Sequence, residues 1–296
     1  MTNPATQRLS AGLYLVATPI GNARDITLRA LDILAAADVL AAEDTRSLRR
    51  LAQLHGIDLS GRALLAYHEH NGAKMRPRLL AEIAAGRSVA YMSEAGTPTI
   101  SDPGFDLARA ARAEGLAVTT APGASAVVAA LTIAGLPTDR FFFAGFLPNA
   151  AKARRRALEE VAAIPGTLVF YESPRRLGAM LADAAAVLGG AREAAVCREI
   201  TKKFEELRGG TLDELAAHYA DAPAKGEIVV LVGRGTPKEA GEAEIEDMLR
   251  DALATMSVRD AADSVSGALG VKRRQVYQAA MRLSAEGDAP DPEQDA

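Results

Sequence analysis

The sequence predicts an α/β protein: two α/β units enclosing a cleft, followed by a small helical segment. Three observations lead there. Over the first 120 residues, short apolar runs alternate with helical patterns, the β-α-β rhythm of a mostly parallel sheet covered on both faces. A second series of runs and helices begins after the turn Ala121-Pro122-Gly123. The composition then changes at Gly235, where GTPKEAGEAE reads as a polar linker.

Taken in order, LYLVA at 13–17 is a buried strand. ITLRALDILAAA at 26–37 is a helix, with Asp25 or Thr27 as its cap. Strands follow at 38–42, 63–67, 88–92 and 116–120, with helices near 45–55, 73–85 and 104–114. In the second series a small-residue helix at 124–134 leads to the strand FFFAG at 141–145. A basic helix at 150–163 leads to TLVFY (167–171), and a helix at 175–188 leads to AAVCRE (194–199). TLDEL at 211–215 opens a helix with a Thr-x-x-Glu capping box, and EIVVLV at 227–232 closes the unit as a buried strand. Three helical patterns follow the linker, with a turn at Gly270 before the last. The segment 257–283 reads either as a helix-turn-helix or as a plain three-helix cap. The expected domains are therefore 1–121, 122–235 and 240–285, with a disordered acidic tail at 286–296.

Composition narrows the function. With 296 residues, 49% hydrophobic and 24% charged, the chain is an ordinary globular protein. Its single cysteine, Cys197, excludes an intramolecular disulfide, and four His with one Cys make a zinc cage unexpected. A reducing cytoplasmic location is expected. The uncharged stretch Leu116–Thr138 is long enough to cross a membrane. Its Pro122-Gly123 pair and run of small residues fit a strand, turn and buried helix better. The net charge of −4 gives no general pull on nucleic acid, so any such contact needs a local basic patch.

Familiar catalytic signatures are absent. The dipeptide Gly-Lys never occurs, which argues against a phosphate-binding P-loop. No G-x-G-x-x-G follows the first strand, no G-x-S-x-G elbow exists, and His68-Glu69-His70 has the wrong spacing for two metal ligands on one helical face. No metal site is expected. The unusual residues gather instead where strands end: Thr18–Asn22, Glu43–Arg46, His68–Asn71, Ser93–Gly104, Pro122–Ser125, Tyr171–Arg175 and Arg198–Lys202. In open α/β sheets, ligands bind beyond the carboxyl ends of the strands. Each loop alone has a bland reading: Asp44 and Arg46 as a surface ion pair, His68 and His70 as rim residues, Glu172 as a helix cap.

Taken together, these segments resemble one family. VATPIGN (16–22), DITLRAL (25–31), AAEDTR (41–46), YHEHN (67–71), EAGTP (94–98), ISDPG (100–104), PGASA (122–126), GLPTDRF (135–141), FYESPRR (170–176) and the pattern RE-TK-FEE (198–206) are similar to the ribosomal RNA small subunit methyltransferase I family, of the tetrapyrrole methylase superfamily. The resemblance runs in order from about residue 12 to 232. It implies two α/β domains with S-adenosylmethionine between them, and a homodimer. It also implies methyl transfer to the ribose 2′-hydroxyl of a cytidine in the decoding region of 16S rRNA, within the assembled small ribosomal subunit. Three departures stand out. Glu94 replaces the family's usual Asp, Thr99 stands where a Gly or aliphatic residue is expected, and the first loop lacks the glycines of the tetrapyrrole enzymes.

Guided by that resemblance, the expected cofactor residues are Pro19, Ala95, Gly96, Thr97, Ile100, Ser101, Ser125, Ala126, Tyr171, Glu172, Glu227 and Ile228. Glu43, Asp44, Glu199 and Lys202 are the catalytic candidates: a carboxylate as base, with Lys202 easing negative charge on the acceptor oxygen. Arg46, His68, Asn71, Arg140, Arg154, Arg155, Arg175, Lys272, Arg273 and Arg274 are the expected RNA contacts. Two other readings stay open. A tetrapyrrole enzyme on the same fold is disfavoured by the altered first loop. A DNA-binding regulator is disfavoured by the carboxylate-rich cleft.

Overall fold

A computed structural model describes residues 8–221, 224–235 and 242–287. The expected tail falls almost wholly on 288–296, outside the described residues, as does most of the expected linker, at 236–241. Contacts divide the chain into a unit ending at Arg234 and a unit beginning at Gly235.

The first unit opens with β1 (Gly12–Val16), α1 (Leu28–Ala36), β2 (Val39–Ala42), α2 (Thr45–Leu54) and β3 (Ala63–Ala66). It continues with α3 (Gly72–Ala84), β4 (Ser88–Met92), α4 (Gly104–Ala113) and β5 (Val118–Ala121). These strands form one sheet, ordered β3-β2-β4-β1-β5, and every pairing is parallel. Thr27 is the cap of α1, its side chain accepting from the Ala30 N–H. Alternate side chains on each strand serve opposite faces. Leu13, Val39, Val89 and Tyr91 pack on Leu79, Ile83 and Leu107 of α3 and α4. Val16, Leu40 and Ala90 pack on Ile33 and Leu34 of α1 and Leu48 of α2. Burying one such Leu or Ile stabilises the fold by roughly 1.5–3 kcal/mol.

Next come α5 (Ala126–Ile133), β6 (Phe141–Phe146), α6 (Ala151–Val161), β7 (Thr167–Glu172) and α7 (Leu177–Leu188). The unit ends with β8 (Glu193–Arg198), β9 (Glu206–Thr211), α8 (Leu212–Asp221) and β10 (Ile228–Val232). The second sheet is ordered β6-β7-β10-β8-β9 and is mixed. β10 runs antiparallel to both of its neighbours, pairing Ile228 with Glu172 and with Arg198. β9 was not anticipated. Two glycines and an exposed Leu207 hide its alternation, and it is an edge strand held only by β8. The Thr211 capping box forms: its hydroxyl accepts from Glu214 N–H at 3.2 Å, and the Glu214 carboxylate accepts from Thr211 N–H at 2.8 Å.

The reversal of β10 puts its first residues, Glu227 and Ile228, at the same rim as the carboxyl ends of β7 and β8. Ile20, from the loop after β1, packs with Val169, Cys197, Val229 and Ile200 of the second half. The two sheets are thus joined at the end where the loops gather.

The second unit has α9 (Glu242–Leu253), α10 (Val258–Leu269) and α11 (Arg273–Gly287). Ser257 caps α10, and Gly270 ends it in the left-handed conformation at φ 64°. Ile245, Leu249, Val265 and Val276 give this unit a core of its own. No described helix is long and apolar enough to cross a membrane.

Candidate active site

A cleft of about 880 Å³ opens between the loop ends of the two sheets. Its lining includes Pro19, Ala95, Gly96, Thr97, Ile100, Ser101, Ser125, Ala126, Tyr171, Glu172, Glu227 and Ile228. Every residue expected at the cofactor therefore meets the same cavity. β1 and β4 deliver the loops 18–21 and 93–101, which are tied together: the Thr18 and Gly96 backbones exchange hydrogen bonds of 2.9 and 3.1 Å. The Thr97 hydroxyl donates to the Ala124 carbonyl at 2.9 Å, binding the β4 loop to the start of α5. Gly96 has φ 81°, which favours glycine, and an added Cβ would crowd Ile20 Cγ2 at 3.2 Å.

Strain concentrates here. Thr99, Ser101, Glu199 and Thr201 have φ of 75°, 56°, 51° and 66°, all in the left-handed region that glycine favours. The value at Thr99 explains why a glycine is the natural expectation there. Asp102 holds that loop, accepting from Thr99 N–H at 3.2 Å, Gly104 N–H at 2.7 Å and the Tyr91 hydroxyl at 2.9 Å.

Two of the four catalytic candidates line the cleft: Glu43, at the end of β2, and Lys202, after β8. Burial, together with the neighbouring charges of Asp102 and Glu94, pushes the Glu43 carboxyl above its ordinary range. Lys202 Nζ donates to Glu199 at 2.8 Å and pairs with Glu227 at 3.0 Å. Burial opposes its charge, but those hydrogen bonds outweigh the penalty and hold the ammonium above its usual value. Glu199 is committed to Lys202 and to the Glu227 N–H, which hold its carboxyl low. Asp44 caps α2, accepts from Arg46 N–H at 2.7 Å and pairs with the Arg46 guanidinium. Neither Glu199 nor Asp44 is among the lining residues. Gly21 has no space for a side chain: a Cβ would lie 2.5 Å from Lys202 Cγ and 2.7 Å from Thr201 Oγ1.

Glu172 is buried, with one carboxylate oxygen accepting from Ser173 N–H at 2.7 Å and paired with Arg176 at 3.2 Å. Its Oε2 is buried without a hydrogen-bond partner among the described residues. Sequence reasoning missed Ser47, Arg50, Phe146, Gly226 and Val229, which also line the cleft. Ser47 and Arg50 stand three residues apart on α2 and share a face. Phe146 lies 5.5 Å from the Tyr171 ring. A smaller hollow of about 170 Å³ adjoins along α2, sharing Pro19, Gly21, Ser47, Arg50 and Glu94 with the cleft.

The expected RNA contacts fare unevenly, and none in the first unit lines the cleft. Arg154 is a correction. It is 6% exposed and clamped to Asp183 at 2.6 Å, so no phosphate can reach it. Asn71 is spoken for as well: its carbonyl accepts from His68 N–H at 2.9 Å and its amide donates to the Ala66 carbonyl at 3.0 Å, so it shapes the turn. His68 is half-buried, with Nδ1 unpartnered among the described residues. Arg140, Arg155 and Arg175 are exposed, and Arg46 is exposed but folded onto Asp44. In the second unit, Lys272, Arg273 and Arg274 are exposed where α11 begins, with Arg273 paired to Asp263. Helix N-termini favour anions.

Comparison with known proteins adds the following. Residues 12–216 match the family described as Tetrapyrrole (Corrin/Porphyrin) Methylases, and residues 239–284 match the RsmI C-terminal HTH domain. The chain is 49% identical to the ribosomal RNA small subunit methyltransferase I of Mesorhizobium japonicum, over 95% of this chain and 96% of that one. It is 42% identical to that of Escherichia coli O157:H7, over 91% and 94%. Among solved structures, the methyltransferase CobJ matches with TM-score 0.60 at 20% identity, over 78% of this chain and 98% of that one. Uroporphyrin-III C-methyl transferase from Thermus thermophilus, complexed with S-adenyl homocysteine, matches with TM-score 0.53 at 19% identity, over 75% and 97%. At such identities these structures speak for the fold.

Proposed function

Because the chain belongs to the tetrapyrrole methylase superfamily and, within it, to the ribosomal RNA small subunit methyltransferase I family, we propose that it methylates ribosomal RNA. The donor is S-adenosylmethionine. The acceptor is the ribose 2′-hydroxyl of a cytidine in the decoding region of 16S rRNA, presented by the small subunit. The working form is a cytoplasmic homodimer.

The observation that carries this reading is the cleft. Its volume suits a ligand of drug size. Small side chains at Ala95, Gly96, Ser101, Ser125 and Ala126 let a ligand approach the backbone. The unpartnered Glu172 Oε2 awaits a donor, and the donor molecule carries amino groups. Carboxylates at Glu43, Glu94 and Glu227 favour its positive charges.

When bound, S-adenosylmethionine supplies a sulfonium methyl: the acceptor oxygen forms the new C–O bond, the C–S electron pair returns to sulfur, and the hydroxyl proton must leave. We assign that proton to Glu43, which lines the cleft at the end of β2. Burial and the neighbouring carboxylates raise its affinity for a proton, as a general base requires. Lys202 stabilises negative charge on the oxygen. Asp44 and Glu199 orient Arg46 and Lys202 respectively. Gly21→Ala must push Lys202 aside, so turnover is expected to fall by about ten-fold with donor binding largely kept; single-turnover assays beside calorimetry would check this.

Exposed Arg140, Arg155 and Arg175, with Lys272 and Arg274, supply the phosphate contacts. Affinity for the small subunit is expected to fall with salt. Arg175→Ala is expected to reduce the slope of log K against log salt by about one, read by filter binding across a salt series.

The reading is tested with purified protein, methyl-labelled donor and small subunits from cells lacking this gene, followed by nucleoside mapping. Label on a cytidine 2′-oxygen of 16S rRNA supports it. Label on a porphyrin precursor instead of RNA would replace it with the tetrapyrrole reading.

A further inference from the structure

Ribose chemistry places a demand on the cleft. The 2′-hydroxyl and the 3′-phosphodiester of a nucleotide stand on adjacent carbons, so a site that takes the first must also take the negative charge of the second. The lining is poorly suited to that charge, since Glu43, Glu94, Glu172 and Glu227 all contribute to it. Among the described residues its cations are Lys202 and Arg50. Lys202 is already paired, with Glu199 at 2.8 Å and Glu227 at 3.0 Å. Arg46, one helical turn before Arg50, is spent on Asp44. Arg50 is exposed and makes no ion pair among the described residues.

The fold aims Arg50 at the acceptor end of the cleft. β2 ends at Ala42 and α2 begins at Thr45, so the first turn of α2 stands at the loop end of the sheet. Arg50 lies about 8 Å along the helix from that start. Helical side chains lean toward the helix N-terminus, which carries the guanidinium back toward Glu43. Ser47, three residues earlier on the same face, lines the cleft beside it.

Both residues also line the hollow of about 170 Å³ that runs along α2. Of the residues assigned to the donor, Pro19 alone reaches that hollow. Gly21 lines it too, and a Cβ on Gly21 would meet Lys202 Cγ at 2.5 Å, so the hollow adjoins the Lys202 end of the cleft. Leu51, Leu54 and Met92 give it an apolar wall, with Leu54 exposed. A phosphate at its mouth would meet Arg50 and Ser47, and the wall beyond suits the face of a sugar or base.

We propose that Arg50 and Ser47 bind the phosphodiester on the 3′ side of the target ribose, and that the hollow along α2 receives the nucleotide that follows. The inference rests on the reading of the acceptor as a ribose 2′-hydroxyl. It makes Arg50 a determinant of how the acceptor is held, beyond the general attraction of the exposed basic residues.

The experiment measures single-turnover methylation of small subunits by wild type, Arg50→Ala, Arg50→Lys and Arg49→Ala, over a range of subunit and salt concentrations. Calorimetry with S-adenosylhomocysteine accompanies it. Arg50→Ala should slow transfer at saturating subunit by about ten-fold, because the phosphate it holds neighbours the reacting oxygen. It should also reduce the slope of log K against log salt by about one. Affinity for S-adenosylhomocysteine should stay within about two-fold of wild type. Arg50→Lys should restore the slope but only part of the rate, since an ammonium keeps the charge without the planar fork. Arg49 is exposed on α2 and lines neither cavity, so Arg49→Ala should match wild type. An unchanged rate and slope in Arg50→Ala would overturn the proposal. So would a lost affinity for S-adenosylhomocysteine, which would give Arg50 to the carboxylate of the donor. Equal effects of Arg49→Ala and Arg50→Ala would overturn it in favour of a diffuse basic face. Wild-type protein that labels a porphyrin precursor and no RNA would overturn the ribosomal reading, and this subsite with it.

Discussion

Replacing Glu43 with Gln is expected to cut methyl transfer by at least about a hundred-fold, the lower end of what a positioned general base contributes. Donor affinity should change by less than about three-fold, because the substitution keeps the side chain's shape and removes only its capacity to take a proton. The acidic limb of the pH profile should vanish with it. Wild-type turnover should decline as pH falls through the raised Glu43 value, while the residual rate of Glu43→Gln should be flat over the same range. Stopped assays for turnover, calorimetry with S-adenosylhomocysteine and a pH series together check the assignment. Asp44→Asn is the contrast. Asp44 is spent on the cap of α2 and on Arg46, so its loss should act on stability and leave that limb in place.

The second large effect is on stability. Asp183 of α7 receives Arg154 at 2.6 Å and Arg155 at 2.6 Å, and Arg154 also donates to the Asn149 carbonyl at 3.0 Å. Arg154 and Asp183 side chains are 7% and 5% exposed. Breaking a buried pair by deleting one partner strands the other charge, at a cost of about 3–5 kcal/mol. Asp183→Ala should therefore lower unfolding free energy by about that amount in urea melts. Burial alone would raise the Asp183 carboxyl, but the two guanidinium hydrogen bonds outweigh it and hold it below the usual range. A depressed carboxyl stabilises the fold above its unfolded value, near 3.9, and loses that contribution as pH falls through the folded one. The variant should accordingly lose less stability than wild type below about pH 4.

That pair also shows where sequence reading stops. The run Lys152, Arg154, Arg155, Arg156 reads as a solvated basic face, yet Arg154 is one helical turn before Leu158, which is fully buried. The i, i+4 spacing places both on the inner face. The decisive fact, a buried Asp183 on α7, is distant in sequence and carries no local mark. The first sheet was legible because each of its strands is a short apolar run and every pairing is parallel. The direction of β10 was not, because IVVLV is buried throughout and reads the same either way. The lining of the cleft was legible because most of its residues sit on loops at strand ends and the resemblance named their motifs. Asp102 was legible only as part of ISDPG, since its hold on the 99–104 loop also draws on the Tyr91 hydroxyl of β4, which no local pattern marks.

The place of β10 also bears on how the protein is made. It is the last strand of the unit to be synthesised, yet it lies between β7 and β8, which do not otherwise pair. Until residues 228–232 leave the ribosome, those two strands face each other across a missing rung, each with an open backbone edge. The second sheet then closes by insertion of a central strand, a long-range step that comes late in folding. Because the same insertion brings Glu227 and Ile228 to the cleft, a nascent chain has no complete cleft until the whole second sheet is in place.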